Sequence, residues 1–468
     1  MAVFLLCILV VSHVTLVHLF ATVLKLLSTI PVKRLFSVGW SKPSAMSWSN
    51  IFSRSTEEKH SLVWCVGPSD TGALQSRIMH DPHEDIFGSH SGKLQETGGG
   101  WRQRSCLVVN ACLRDSEDAV ILHLNRTEEN DVFMKVGSDV GKSGELFKLR
   151  SQKQWESGHI DANAAHPFNV RYDPIPTRAI WHDSKPYVYY KPFFPDNFGH
   201  CIFDDMFAAF AASRTLGVLQ TASAEFNLMP TSDCSDLGLR ERCERYLYDW
   251  GKLFATEIET RASLGPGLHC FEKLVVGIGM YSPMGLDLQN VGRATLFREF
   301  HERAYNLLGL DVQHRTPHQQ KVLIIDKKGR RRVTNSELLS KYVTDTFGVE
   351  CQTLSSHLLH APASEQIKSL QGFTVILTPV GGISMPLFFS QRGTAVVFIS
   401  HINWEDLFFN NANHIIDLYY ICSDEEVIHH DKVANQWNDA SITPDLDKLG
   451  EVIKRAMIQH EKYMSTFA

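Results

Sequence analysis

Two groups of residues in this chain have the types and spacing to do chemistry. In Asn197-Phe-Gly-His200-Cys-Ile-Phe-Asp204-Asp205 an imidazole and a carboxylate stand four residues apart. On an α-helix that spacing leaves them about 40° apart around the axis, with Asp205 facing well away. A histidine oriented by an acid can take a proton from an attacking hydroxyl. The plain structural alternative is a helix N-terminus, with Asn197 as the cap and the carboxylates meeting the helix dipole. The second group is split between two segments. Lys327-Lys328-Gly329-Arg330-Arg331-Arg332 sets five cations in six residues directly after the apolar run Lys321–Asp326. Thr378-Pro-Val380-Gly381-Gly382-Ile383-Ser384 places a glycine pair directly after another apolar run. Arginine forks match phosphate oxygens, and glycines at a strand-to-helix turn let a phosphate reach backbone N–H groups. A solvated loop and a tight turn are the structural alternatives. A third pair, Asp445 and Asp447, has metal-binding types, but it follows Thr443-Pro444 at a predicted helix start, where acids suit the dipole. No metal site is expected.

These residues need a frame. Short apolar runs alternate with helical patterns from Lys321 to Ser400, which predicts an α/β fold with a parallel sheet and ligands at its strand ends. Upstream, strands are expected at 62–67, 105–110, 119–124, 131–136, 185–190, 224–229 and 272–279, with Pro167 to Pro186 irregular. Ile202, Phe203, Met206, Phe207 and Phe210 form a helical apolar stripe carrying His200 and Asp204. Further helices are predicted at 239–254, 296–308, 334–347 (with Thr334 and Glu337 as a capping box), 362–370 and 445–464. A polar, aromatic tail is expected after Ser400.

The net charge of −6 gives no general attraction to nucleic acid, and no such partner is expected. Ala2 to Leu24 contains no Asp, Glu, Lys or Arg. At about 1.5 Å per residue it is long enough to cross a hydrocarbon core of about 30 Å. No small-residue cleavage site follows, so the segment reads as an uncleaved signal anchor that holds the chain to a membrane. Residues 25–61 then form a serine-rich stem. Lys25, Lys33 and Arg34 alone would put the body in the cytoplasm, whereas the sequon Asn125-Arg126-Thr127 has meaning only in the lumen. We adopt the lumen. Ten cysteines without a Cys-x-x-Cys pair fit one or a few disulfides there, and nine beyond the anchor leave at least one thiol free.

Taken together, Asn197-Phe-Gly-His200-Cys-Ile-Phe-Asp204-Asp205, Cys270-Phe-Glu-Lys-Leu-Val-Val-Gly277, Arg331-Arg-Val-Thr-Asn335 and Gly381-Gly382 resemble, in that order, glycosyltransferase family 61. That family includes protein O-mannose and EGF-domain N-acetylglucosaminyltransferases and plant xylan xylosyl- and arabinosyltransferases. The resemblance covers about residues 185–425. It implies a GT-B-like fold, two Rossmann-like domains facing a cleft, here 62–312 on the acceptor side and 313–440 on the donor side, followed by a C-terminal helix within 441–468. It implies inverting, metal-independent transfer of N-acetylglucosamine or a pentose such as xylose from a UDP-sugar to a glycan or glycoprotein acceptor. The enzyme would be a single-pass type II protein of the Golgi or endoplasmic reticulum membrane, glycosylated at Asn125 and needing no cofactor. By the same resemblance His200, Asp204 and Asp205 are catalytic, and Lys327, Arg331, Asn335, Gly381, Gly382, Ile383 and Ser384 bind the donor. Members often carry histidine directly before the first glycine, where this chain has Val380. That departure motivates the alternative, a glycan- or nucleotide-binding relative without transferase activity.

Overall fold

The computed structural model describes, with short interruptions, residues 61–66, 105–123, 168–190, 197–278, 294–312, 320–428 and 440–466. The expected anchor and stem, the strand at 131–136 and Asn125 lie outside the described residues. Among the described residues no helix is long and apolar enough to cross a membrane.

The N-terminal part builds a mixed sheet. Its strands are β1 (Leu62–Val66), β2 (Ser105–Arg114), β3 (Glu117–His123), β4 (Phe168–Arg171), β5 (Ile180–His182), β6 (Tyr187–Tyr190), β7 (Asn227–Pro230) and β8 (Leu268–Val276). They run in the order β4-β3-β2-β8-β6-β7, with β1 also on β2 and β5 also on β8. β2 is antiparallel to β1, β3 and β8, whereas β6 is parallel to both β7 and β8. This sheet therefore departs from the all-parallel pattern of a Rossmann unit. Two of its strands, β4 and β5, fall in the proline-punctuated stretch expected to be irregular. They are only four and three residues long, too short to show a period in sequence. Cys112 and Cys270 stand directly opposite across β2 and β8 and are joined by a disulfide, and a second joins Cys234 to Cys243.

The C-terminal part is the parallel sheet that the apolar runs predict. Its strands are β9 (Lys321–Asp326), β10 (Glu350–Ser355), β11 (Val375–Pro379), β12 (Ala395–Ser400) and β13 (Ile416–Ile421), in the order β10-β9-β11-β12-β13, all parallel. β13 occupies part of the expected tail. It is an edge strand with only two buried positions, so its apolar run is broken by Asp417 and by half-exposed tyrosine.

Among the described residues six helices pack these sheets. Helix α1 (198–215) comprises Phe198–His200, a π-wound segment Cys201–Phe207 and Ala208–Thr215. Helix α2 (240–250) passes from Arg240–Glu244 into a second π-wound segment, Arg245–Trp250. They are followed by α3 (Ala294–Leu308), α4 (Ser336–Phe347), α5 (Ala363–Ser369) and α6 (Leu446–Ser465). α4 and α6 cover one face of the parallel sheet, burying Leu339, Val343, Leu449, Ile453 and Met457 against Val322, Ile324, Val375 and Val397. The opposite face shares a single apolar core with α1 and the mixed sheet, running from Val109 and Val188 through Phe203, Phe207 and Phe388 to Leu323, Ile376 and Val396. Each such fully buried large side chain contributes about 1.5–3 kcal/mol. That core fixes α1 against the C-terminal sheet.

Candidate functional site

Helix α1 starts where the sequence places it, but its winding differs. Asn197 occupies the N-cap with extended backbone and makes no side-chain capping bond, while its carbonyl accepts from Cys201 N at 2.9 Å. The capping alternative for this motif therefore supplies only backbone. His200 Nδ1 lies 2.6 Å from Asp204 Oδ2, with the carboxylate fully buried and the imidazole 15% exposed. A buried carboxylate accepts, so Nδ1 carries the proton and the basic lone pair of the ring sits on Nε2. All seven residues of the π-wound segment are buried, Asp205 among them. Asp205 sits inside, where its charge, after burial itself, pushes the Tyr190 hydroxyl up. The structure thus joins His200 to Asp204 and sets Asp205 on the interior side. π-winding is rare and concentrates at functional positions, and here the two π-wound segments pack against each other.

The basic cluster lies at the C-terminal edge of the parallel sheet. Strand order reverses between β9 and β11: the first connection leads outward to β10, the later ones lead the other way to β12 and β13. At such a switch point the two strand ends open a crevice that binds ligands. Lys327 leaves β9 and donates from Nζ to Val380 O at the end of β11, at 3.4 Å. Arg331 adopts a left-handed backbone (φ 53°), rare for a residue with a side chain. Its guanidinium lies over Gly381: a Cβ there would stand 2.9 Å from Arg331 Cζ and Nη2. Gly381 has φ 112°, so both space and backbone require glycine. Gly382 differs, because a Cβ on it would meet no described atom within 4 Å. The first glycine seats the arginine, and the second leaves its backbone approachable.

The far end of the loop is pinned. Val333 bridges Ile442, Thr334 N donates to Ile442 O at 2.8 Å, and Asn335 Nδ2 donates to Pro444 O at 3.2 Å. Asn335 takes the N-cap position of α4, and the Thr334 hydroxyl meets Thr443 Oγ1 at 2.6 Å instead of forming the expected capping box. Lys328, by contrast, pairs with Asp326 at the surface, 2.7 Å away.

After the glycine pair the expected helix is a single 3-10 stretch, Met385–Phe389, with all five residues buried. Ser384 is turned inward, its Oγ and N donating to Gly381 O at 2.6 and 2.8 Å, and Ile383 is buried. Both close the turn. The dipole of so short a helix is small, so the turn acts through its backbone N–H groups. This short helix brings the two motif groups together. A Cβ on Gly199 would stand 3.2 Å from Met385 Cγ and Sδ, and Phe203 meets Phe388 edge-on at 5.2 Å. The start of α1, with His200, therefore rests on the segment that follows the glycine pair.

Sequence reasoning did not find the second π-wound segment. Arg245 Nη1 meets His360 Nδ1 at 2.8 Å, and Asp249 accepts from Ala363 N at 2.7 Å, tying α2 to the start of α5. Trp250 stacks edge-on with Phe198 at 4.6 Å. These partners lie more than a hundred residues apart or on separate helices, and no local pattern announces them. Asp445 caps α6, accepting from Asp447 N and Lys448 N at 3.0 and 3.1 Å. Among the described residues no three His, Cys, Asp or Glu side chains gather as a metal site.

Residues 198–397 match the family model for Glycosyltransferase 61, a span that opens at the first residue of α1, ends within β12 and contains His200, Asp204, the basic loop and the glycine pair. No curated protein matches the chain.

Proposed function

We propose that this chain, which belongs to glycosyltransferase family 61 through residues 198–397, is an inverting UDP-sugar transferase in which His200 is the base and Arg331 the diphosphate clamp. Family membership makes sugar transfer the reaction. The observation that carries the finer reading is the packing of the His200–Asp204 helix onto the segment leaving the Gly381–Gly382 turn. It sets a proton acceptor beside a cationic crevice of the type that binds nucleotides.

In this mechanism His200 Nε2 takes the proton of an acceptor hydroxyl, and Asp204 steadies the resulting imidazolium through Nδ1. The acceptor oxygen attacks the anomeric carbon from the face opposite UDP. The bond to the diphosphate oxygen breaks and its electron pair leaves with UDP, so the anomeric configuration inverts. Lys327, Arg331 and the N–H groups at Gly382 stabilise the charge that develops on the leaving phosphate. Fixed cations do what a divalent ion does elsewhere, and no metal is invoked. Asp205 lies buried in the same segment, and Asn335 holds the loop to Pro444.

In this reading the two sheets are the halves of a GT-B-like enzyme, 62–312 facing the acceptor and 313–440 the donor. The donor sugar is N-acetylglucosamine or a pentose, and the acceptor a glycan or glycoprotein. A lumenal, type II placement in the Golgi or endoplasmic reticulum is supported by the disulfides Cys112–Cys270 and Cys234–Cys243, since such bonds persist in oxidising compartments.

The test is a panel of UDP-sugars scored for thermal stabilisation and for UDP release, with and without chelator. One sugar should stabilise the protein and release UDP equally under both conditions. Arg331→Ala should weaken UDP binding about 10–100-fold, the worth of a charge-assisted bond. Binding without turnover on any acceptor would favour an inactive relative, and unchanged turnover in Arg331→Ala would remove the clamp assignment.

A further inference from the structure

Three consecutive carbonyls at the end of the Met385–Phe389 helix are each bound by a side chain. His414 Nε2 donates to Phe388 O at 2.7 Å, Tyr305 OH to Phe389 O at 2.7 Å, and His301 Nε2 to Ser390 O at 2.8 Å. The last carbonyls of a helix have no partner within it and must find one elsewhere. His301 and Tyr305 stand four apart on α3 and share one face of it, with rings 4.4 Å apart. His414 precedes β13.

The two imidazoles are buried and lie 4.2 Å apart. A carbonyl can only accept, so each ring carries its proton on Nε2 and leaves a lone pair on Nδ1. Neither Nδ1 has a hydrogen-bond partner among the described residues. A proton added to either would be a buried cation with no acceptor, against a second imidazole. The surrounding charges do not relieve it. Arg392, paired with Glu302, and Arg298 on α3 both face the cluster and oppose a further positive charge. Tyr305 stays a neutral donor, since burial raises its pKa.

We propose that His301, Tyr305 and His414 are positioning residues for the glycine turn, gripping the helix that follows it and letting go when an imidazole is protonated. The grip matters because that helix has two other attachments. At its start Ser384 is bonded to Gly381, and along its length Met385 and Phe388 support Gly199 and Phe203 of α1. Release loosens the seat of Arg331 and the support of His200 together. The link to donor binding rests on the function proposed above, whereas the clamp itself does not.

Amide hydrogen exchange over residues 385–390 of the whole protein between pH 7.5 and 5, corrected for intrinsic rates, reads the opening directly, and stops short of Gly393, whose carbonyl is bound by a third buried imidazole, His460, at 2.7 Å. Burial, and then Arg392 and Arg298, hold His414 at about 4 in the closed state, although its bond to Phe388 O opposes them. Once exposed the ring returns to about 6.5, so opening should rise about 30-fold across that range from this residue alone. His414→Gln keeps a side-chain N–H donor and cannot titrate, and His301→Gln is the second variant should the first fail to fold. Each should flatten the dependence, and the double variant should abolish it. Tyr305→Phe should raise opening by a similar factor at every pH. A pH-independent opening in the native chain, or a rise that persists in the double variant, would overturn the proposal. UDP affinity over the same range should fall with pH in the native chain and stay flatter in the glutamine variants, a difference that a merely structural histidine would not produce. Absence of UDP binding at any pH would instead sink the donor assignment and leave the exchange result to decide the clamp.

Discussion

The basic loop 327–335 hangs between strands of a regular parallel sheet, whereas His200 and Asp204 sit in a distorted turn of α1. The loop is held by backbone and side chains at several points. Backbone bonds to Ile442 and a bridge at Val333 fix one end, Lys327 spans to Val380 O at the other, and Arg331 rests on a glycine. The His200–Asp204 pair depends on burial instead, since a fully covered carboxylate holds the imidazole by one short bond. The two regions also differ in reinforcement. A disulfide crosses the mixed sheet at Cys112–Cys270, while Cys351 and Cys422 in and beside the parallel sheet are free thiols. The loop takes its geometry from strand ends of a common fold, whereas the His200–Asp204 pair takes its geometry from the core around it.

The sharpest way to break this contrast is at His200. His200→Ala should lower turnover about 10²–10⁴-fold and leave UDP affinity, measured by calorimetry, within a factor of two or so of the native value. Equal losses of both would mean the histidine belongs to the donor pocket. Replacing both Cys112 and Cys270 by serine should remove about 2–5 kcal/mol of stability. Calorimetric unfolding would show a lowered Tm, with the first exchange losses in β2 and β8 and protection of β9, β11 and β12 retained.

Acid should weaken the shared core next. His414 is neutral when folded, because burial and then nearby arginines lower its pKa to about 4. The unfolded chain binds the extra proton first, so stability is complete above about pH 6.5 and is lost as pH falls toward 4, by about 3 kcal/mol. Denaturant titrations at pH 7.5 and 4.5 would measure it, and a pH-independent midpoint would contradict the buried, neutral assignment. The two glycines should then separate. Gly381→Ala forces strain at φ 112° and displaces Arg331, costing about 1–3 kcal/mol together with UDP affinity. Gly382→Ala should leave Tm unaltered and lower UDP affinity only if phosphate approaches that backbone. The smallest effect is at Asp445, where Asp445→Ala should cost about 1 kcal/mol as a lost helix cap and leave UDP release in chelator unchanged.

Much of this was legible in the chain. The runs Lys321–Asp326 and Ala395–Ser400 became strands with the same bounds, because a strand buried on both faces is apolar throughout. Asp445 stands at the helix start that its position after Thr443-Pro444 suggested, and there it is the cap. β4 and β5 were not legible, since three or four residues carry no period, and β13 was hidden by its half-exposed edge. The His200–Asp204 contact was readable from its spacing, but π-winding was not, because wheel arguments assume α geometry.

The amino-acid sequence by itself determined the residue types, the order of the motifs, the parallel C-terminal sheet and the resemblance to glycosyltransferase family 61. These depend on local periodicity and on chemistry carried within a few neighbours. Only the tertiary structure decided that Gly381 seats Arg331, that Met385 brings the glycine turn under Gly199, and that Asp205 faces inward while Asp204 holds His200. Each of those contacts joins residues through a shared apolar core or a change of helical winding. Their geometry is set by what packs against them and not by what precedes them in the chain.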